Sequence, residues 1–294
     1  MRLCLAVATL VAAGAAGAQP VLTREPSTGA YTITYTDEAG IVRRVSFEGE
    51  DRVSPLVSLT IDGTQHIMYR YQIGNGGDAK QPLFSISIPC EQNSVSPAGA
   101  ERIKVWDSVH AGRPGPLVNY CRWILGNSRQ PGVPAGAQYT ARPLILQSQW
   151  LPGIRQAEAV GVNSPVTFPG FRDEAPEAIT NLYDSTQVPL KFGAMSPKYP
   201  PETMSDPFKG VAALLEELSQ ACSIGWVSPE GVCNSLKMKL THAQEAAAKG
   251  DFAAESQRLD TFVSEIQAQA GKHVAMIFAV AMQFDAAFLR GALK

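Results

Sequence analysis

The chain has 294 residues, 25 Lys and Arg against 27 Asp and Glu, and a formal charge of −2. With no basic tail or patch in that near-neutral balance, neither a nucleic-acid partner nor docking on anionic lipid is expected. The length allows two domains.

Met1 and Arg2 open the chain with one positive charge, followed by the apolar run Leu3 to Val11 and the small residues Ala16-Gly17-Ala18. These are the n-region, h-region and cleavage site of a secretory signal peptide over residues 1–18. The run is too short and too rich in Gly and Ala to span a bilayer, which needs roughly 20 apolar residues. A lipoprotein start is not expected either, because Cys4 precedes the apolar run. The expectation is a secreted or periplasmic, envelope-associated chain of bacterial type, with no stable membrane span after cleavage.

Cys90, Cys121, Cys222 and Cys233 remain after the leader. An even number of cysteines in an oxidising compartment argues for disulfides. Four cysteines allow three pairings, and the spacing favours Cys90–Cys121 and Cys222–Cys233. The alternative, a zinc site, lacks any Cys-x-x-Cys, and His66, His110, His242 and His273 sit far from every cysteine.

From residue 30 to about 170 the pattern is β. Tyr31, Ile33 and Tyr35 alternate with threonines, as in a half-buried strand. Ile41 to Glu48 returns after a turn, and Leu56 to Ile61, Asp62-Gly63 and His66 to Ile73 read as a hairpin. Leu83 to Cys90, Arg102 to Trp106, Tyr120 to Leu125 and Tyr139 to Trp150 complete the set. Phe84, Ile86, Ile88 and Cys90 share one face of their strand, and Cys121, Trp123 and Leu125 one face of theirs. Both sulfurs therefore point inward. Short strands between Gly and Pro turns suggest an antiparallel, Ig-like β-sandwich over 21–183. A short helix is expected over Glu174 to Tyr183, and the Pro-rich stretch 184–206 reads as a semi-rigid linker.

After Ser205 the period becomes 3.6. Phe208, Val211, Leu214, Leu215 and Leu218 form one stripe, with Ser205 expected as N-cap and Pro207 in the first turn. Val232, Leu236, Leu240 and Ala243 form a second stripe, ended by Gly250. Asp251 caps a third helix, ended by Gly271, and a fourth runs from about Val274 to Leu293. Together they make a small helical bundle over 207–294, so the fold class expected is multidomain, all-β followed by all-α. The fourth helix is unusually apolar, with Gln283 and Asp285 interrupting it.

Several phrases of this half carry a resemblance. They are Val211-Ala-Ala-Leu-Leu-Glu-Glu-Leu218, Ile224-Gly-Trp-Val227, Leu236-Lys-Met-Lys-Leu-Thr-His-Ala243, Lys249-Gly-Asp-Phe252 and the helix from Leu259 to Gly271-Lys272. In order and spacing, residues of about 208–290 resemble the FIMAH domain, a helical module appended to many secreted bacterial hydrolases and surface proteins. The resemblance implies an accessory role and carries no catalytic residues. The cysteine pair is a departure from many members of the module.

No catalytic constellation is legible. There is no Gly-x-Ser-x-Gly elbow and no His-Glu-x-x-His, and the four cysteines are expected to pair. Glu48, Glu50, Asp51, Glu101, Asp107, Asp173 and Glu174 could supply a glycosidase-like carboxylate pair, but none sits in a motif. The Gly74 to Asp78 loop and the Glu48/Glu50/Asp51 cluster offer oxygen ligands without EF-hand spacing, so turn chemistry is the reading preferred over calcium. No cofactor and no metal are expected. Tyr31, Tyr35, Tyr69 and Tyr71 share faces with isoleucines and are expected in the core. Trp106, Trp150 and Trp226 lie near element ends and are the candidate ligand-contact aromatics. The function expected is non-catalytic binding or surface interaction, with an extracellular polymer or envelope protein as partner. A hydrolase with an unrecognised carboxylate pair, or a structural envelope spacer, stands as the alternative.

Overall fold

A computed structural model describes residues 19–63, 66–91, 94, 101–106, 117–126, 131–162 and 166–292, the side chains of 101–106 and 117–118 excepted. The expected signal peptide, Asp107 and His110 lie outside the described residues. These residues carry three antiparallel sheets and six helices, none long and apolar enough to cross a membrane. The chain divides into two compact units. The smaller takes the chain up to Gly49 and the stretch ending at Val188; the larger takes Glu50–Val162 and everything from Pro189.

In the smaller unit β1 (Val21–Arg24), β2 (Tyr31–Thr36) and β3 (Val42–Phe47) pair in that order, and α1 (Glu177–Asp184) covers one face. The Tyr-Thr alternation puts Ile33 and Tyr35 inward, where they join Phe47 and Ile179. The Tyr35 ring stacks on Phe171 at 5.5 Å, and its hydroxyl donates to the Pro169 carbonyl at 2.9 Å. Asp37 closes the β2–β3 turn: its carboxylate accepts from the backbone of Ile41 at 2.8 Å and Ala39 at 3.0 Å, and from Arg43 Nε at 2.8 Å. These bonds, the one from Ile41 foremost, hold its pKa below the usual aspartate value.

The larger unit holds β4 (Pro55–Asp62), β5 (Ile67–Asn75), β6 (Leu83–Pro89), β7 (Glu101–Trp106), β8 (Leu117–Ile124), β9 (Leu144–Ser148), β10 (Leu151–Gly161) and β11 (Leu190–Tyr199). One sheet runs β4-β5-β9, the other β11-β10-β6-β8-β7. The hairpin read from Asp62-Gly63 is present, with Asp62 opposite Met68. Side chains of the two sheets meet: the Tyr71 ring lies 5.9 Å from Trp123, and its hydroxyl donates to the Met195 carbonyl at 3.1 Å. Cys90 and Cys121 pair across the neighbouring strands β6 and β8, with Cα atoms 5.9 Å apart, inside the range a disulfide bridges.

The stretch 184–206 differs from the linker expected there. Residues 190–199 form β11, which pairs with β10 at nine positions across a bulge at Lys198, and α2 (Pro201–Met204) follows. Prolines bias a chain toward extended backbone, and here that extension is used in a ladder; β11 is an edge strand, the place in a sheet where Pro197 is tolerated. β10 was also unexpected, because Pro152-Gly153 at its start reads as a turn.

The helices α3 (Pro207–Ser223), α4 (Glu230–Ala248), α5 (Phe252–Gln269) and α6 (Met276–Ala292) fall where the 3.6-residue stripes place them. Asp206, rather than Ser205, is the N-cap of α3, accepting from Lys209 N at 3.0 Å, and Asp251 caps α5 by accepting from Ala254 N at 3.0 Å. Cys222 and Cys233, with Cα atoms 6.1 Å apart, tie the end of α3 to the first turn of α4. The helices do not keep a core to themselves. α6 packs on β4, β10 and β11, α3 packs on β10, and one apolar cluster runs from Ile86 and Trp123 in the sheets to Leu214, Phe262 and Phe278 in the helices.

Candidate functional site

Two helix-to-helix turns build a chemically mixed surface on the larger unit. The first follows α3. Gly225 takes a left-handed φ of 80° and donates to the Cys222 carbonyl at 3.3 Å, and Trp226 N donates to the Ala221 carbonyl at 2.8 Å. That is a Schellman ending, and glycine is the residue that adopts its φ without strain. The second follows α5, where Gly271 has φ 73° and Gln269 accepts from Lys272 and His273. Backbone bonds join the two turns: Ser228 N donates to the His273 carbonyl at 2.9 Å, and Ala275 N to the Trp226 carbonyl at 2.8 Å. Buried Val227 and Val274 pair between them and anchor the junction in the core.

Because the backbone makes this junction, the side chains on it are left to line a groove of about 440 Å³. Its walls come from Trp226 and Ser228 on one turn and from Lys272, His273 and Met276 on the other. Lys272, His273 and Met276 are exposed and Trp226 is half-buried. On the other side of the Ile224–Trp226 turn lies a second groove of about 270 Å³, between β10, β11 and α3, lined by Arg155, Lys191, Phe192, Gly193, Gln220 and Ile224 among others. A Cβ placed on Gly193 would come within 3.1 Å of Ile224 Cδ1 and 3.7 Å of the Trp226 ring, so this glycine leaves the turn room to lie close on β11. Neither groove is lined by a carboxylate.

Of the three candidate tryptophans, Trp226 lines the groove. Trp150 is 37% exposed at the β9–β10 corner, its carbonyl accepting from Tyr69 Oη at 2.6 Å, and lines neither groove. Trp106 lies in β7, with a side chain outside the described set. The structure therefore does not gather the three. None of the described candidate carboxylates lines either groove: Glu48, Glu50 and Asp51 are half-buried, Asp173 and Glu174 exposed, and the Glu101 side chain is not described. Burial raises the pKa of Glu50, with Arg122 opposing it. His66 and His242 are exposed. In the Gly74 to Asp78 loop, Asn75 is fully buried and its amide is spent on structure: it donates to the Gln81 and Val133 carbonyls at 2.7 and 3.0 Å and accepts from Ser54 N at 2.9 Å.

Three buried carboxyls that sequence reasoning missed are Glu217, Glu255 and Asp285, each with no solvent exposure. Glu217 on α3 accepts from Ile154 N at 2.6 Å, from Lys198 Nζ at 2.5 Å and from Tyr199 Oη at 2.7 Å. Burial alone would lower the Lys198 pKa, but Glu217 and Glu216 outweigh it and raise it; Tyr199 is raised by burial and by Glu217. Glu255 on α5 has no hydrogen-bond partner for either oxygen, and burial pushes it up to about 7. Asp285 on α6 is unpartnered too. The available signal was spacing: Glu217 falls on the same helical face as Leu214 and Ala221, and Asp285 on that of Met282 and Leu289.

Compared with known proteins, the chain matches no family model and no curated sequence.

Proposed function

We propose that this chain is an exported, non-catalytic binding protein that holds an extracellular or envelope polymer against the Trp226 groove. The observation that carries the reading is the junction itself: a half-buried indole, a thioether and two basic side chains face one groove whose backbone bonds are already closed. An aromatic face beside hydrogen-bond donors suits a sugar ring, with apolar stacking on one side and polar contacts around its edge. The two cysteine pairs at disulfide distance support an oxidising compartment. The resemblance of residues 208–290 to the FIMAH domain supports an accessory role, and two of the phrases that carry it reach the groove, through Gly225-Trp226 and Gly271-Lys272. In this reading the sheets of the larger unit form an Ig-like sandwich and α3 to α6 an accessory bundle docked on it.

The alternative, a glycosidase-like hydrolase, would need accessible paired carboxylates. Glu217 and Asp285 interact electrostatically, and both are sealed from solvent.

The test is retention of residues 19–294 on insoluble cellulose, chitin and peptidoglycan, beside Trp226→Ala. Retention on one polymer, lowered about tenfold or more in the variant as for a lost aromatic anchor and without release of soluble sugar, is expected. Equal retention of the variant removes the groove from the account. Absence of retention on all three rejects the polymer reading.

A further inference from the structure

Among the described residues α6 is the most apolar of the longer helices, and Asp285 stands in the middle of its buried face. The side chain has no solvent exposure, and neither carboxyl oxygen has a hydrogen-bond partner. Around it no charged group of the described elements packed on α6 is bonded to it. α3 brings Glu217, already holding three donors. β11 brings Lys198, whose ammonium is bonded to Glu216 and Glu217, and Tyr199, whose hydroxyl is bonded to Glu217. β5 contributes Tyr69, which donates to the Trp150 carbonyl. On β4 Asp62 pairs with Arg70, on β10 Arg155 donates to the Pro197 carbonyl and Glu158 is buried, and on α2 Glu202 is exposed. On α5 Asp260 pairs with Arg290 of α6, and Glu255 is a second unpartnered acid.

We propose that Asp285 is a proton-controlled catch: as the neutral acid it seats α6 on β4, β10 and β11, and its ionisation beside Glu217 releases the helix from the sheets. The neutral form is the one such a site accepts, because a carboxylate without donors in an apolar interior is far costlier than a neutral acid. Burial, with the charge of Glu217 added, accordingly raises the Asp285 pKa well above the ordinary value of 3.8. A carboxyl that keeps its proton when seated and loses it when released makes seating strongest in acid. From pH 3.8 upward, each further pH unit multiplies the released fraction about tenfold, until the seated acid itself ionises. α6 begins at Met276 on the wall of the Trp226 groove, and Ala275 N is bonded to the Trp226 carbonyl. Release therefore unmakes the groove, and polymer retention becomes acid-favoured; this consequence rests on the binding reading above, whereas the catch does not.

Hydrogen exchange of the ligand-free chain tests the catch. Wild type and Asp285→Asn are compared at matched pH between 5 and 8, which removes the intrinsic pH dependence of exchange and cancels Glu255, present in both. The opening of α6 amides in wild type is expected to gain on the variant with rising pH, by about tenfold per pH unit for as long as the seated acid keeps its proton. Asp285→Leu serves as a second neutral replacement should the amide not fold. Parallel pH profiles of wild type and the folded variant overturn the proposal. The groove is read separately, from retention of the variant on the polymer: loss of retention at every pH counts against the binding site and leaves the exchange result standing.

Discussion

Glu217 and Glu255 show how burial sorts acids that look alike in the sequence. Each lies on a helix face at core spacing, and each is sealed from water. Glu217 is met by a backbone amide, an ammonium and a phenol, so it joins α3 to β10 and β11 by three directed bonds. Removal of such an acceptor would leave the buried Ile154 amide and Tyr199 hydroxyl without a partner, which is why a satisfied buried acid fixes register even where its net contribution is small. Glu255 has no such donors. Its pKa is pushed up to about 7 by burial, so the folded state binds the proton more tightly than the unfolded chain, whose carboxyl keeps the ordinary value of 4.5. The stability this group contributes is complete below pH 4.5 and is lost as pH rises through about 7. Glu255→Gln, neutral at every pH, is expected to match the wild type in urea unfolding at pH 4 and to exceed it at pH 8 by about 1–3 kcal/mol, the scale of one uncompensated buried polar group. A variant less stable than wild type at pH 8 would reject the assignment. Neither acid could be told from a solvated one by composition. The helical spacing put both on buried faces, but which donors await a side chain is decided by strands far away in sequence.

At the scale of elements, the sequence was legible where periodicity and stop signals agreed. The stripes of α4 and α5 end at Gly250 and Gly271, both with positive φ. The alternation of β2 and the β4–β5 hairpin were readable for the same reason, since each strand keeps one face in the core and the other toward water. β10 and β11 gave no such signal. Seven of the first nine residues of β10 are buried, on both faces, because sheet neighbours lie on one side and α3 and α6 on the other. A strand covered on both faces loses its period of two, and Pro152-Gly153 and Ser196-Pro197 completed the disguise. Gly210 carries a related lesson. A glycine inside a helix costs about 1 kcal/mol against alanine, yet here a Cβ would come within 2.8 Å of Leu289 Cδ1 and 2.9 Å of the Met204 carbonyl. The close approach of α3 to α6 and α2 needs that position empty. Gly210→Ala is therefore expected to lower stability by about 1–3 kcal/mol through overpacking despite its better helix propensity, read as a fall in Tm; a rise in Tm would show that Leu289 and the backbone of Met204 yield freely.

At the scale of the whole molecule, the reading from sequence cut the chain at a linker, and the packing joins it there. A boundary drawn from prolines and a change of period is blind to what the apolar stripes face. α3 and α6 turn theirs to the sheets, and the cluster from Trp123 to Phe278 has no gap at residues 184–206. Sheets and helices of the larger unit should therefore unfold as one cooperative body. The smaller unit, with its own core of Ile33, Tyr35, Phe47 and Ile179, has no tryptophan, since Trp106, Trp123, Trp150 and Trp226 all belong to the larger unit. Indole fluorescence thus reports the larger unit alone. Circular dichroism at the helix band reports it almost alone, because α1 is only 8 residues long. In a urea titration the two signals are expected to give one coincident transition, whereas protease cleavage between residues 21 and 47 follows a midpoint of its own. If ellipticity falls at a lower urea concentration than indole fluorescence, the helices hold themselves apart from the sheets. The three bonds to Glu217 would then be too weak to couple the layers, and a chain ending near residue 200 would keep its sheet core. If the two coincide, the same truncation is expected to unfold the sheets as well, because it would expose Ile154 and Tyr199 and leave the buried Ile154 amide and the Lys198 ammonium without their acceptor.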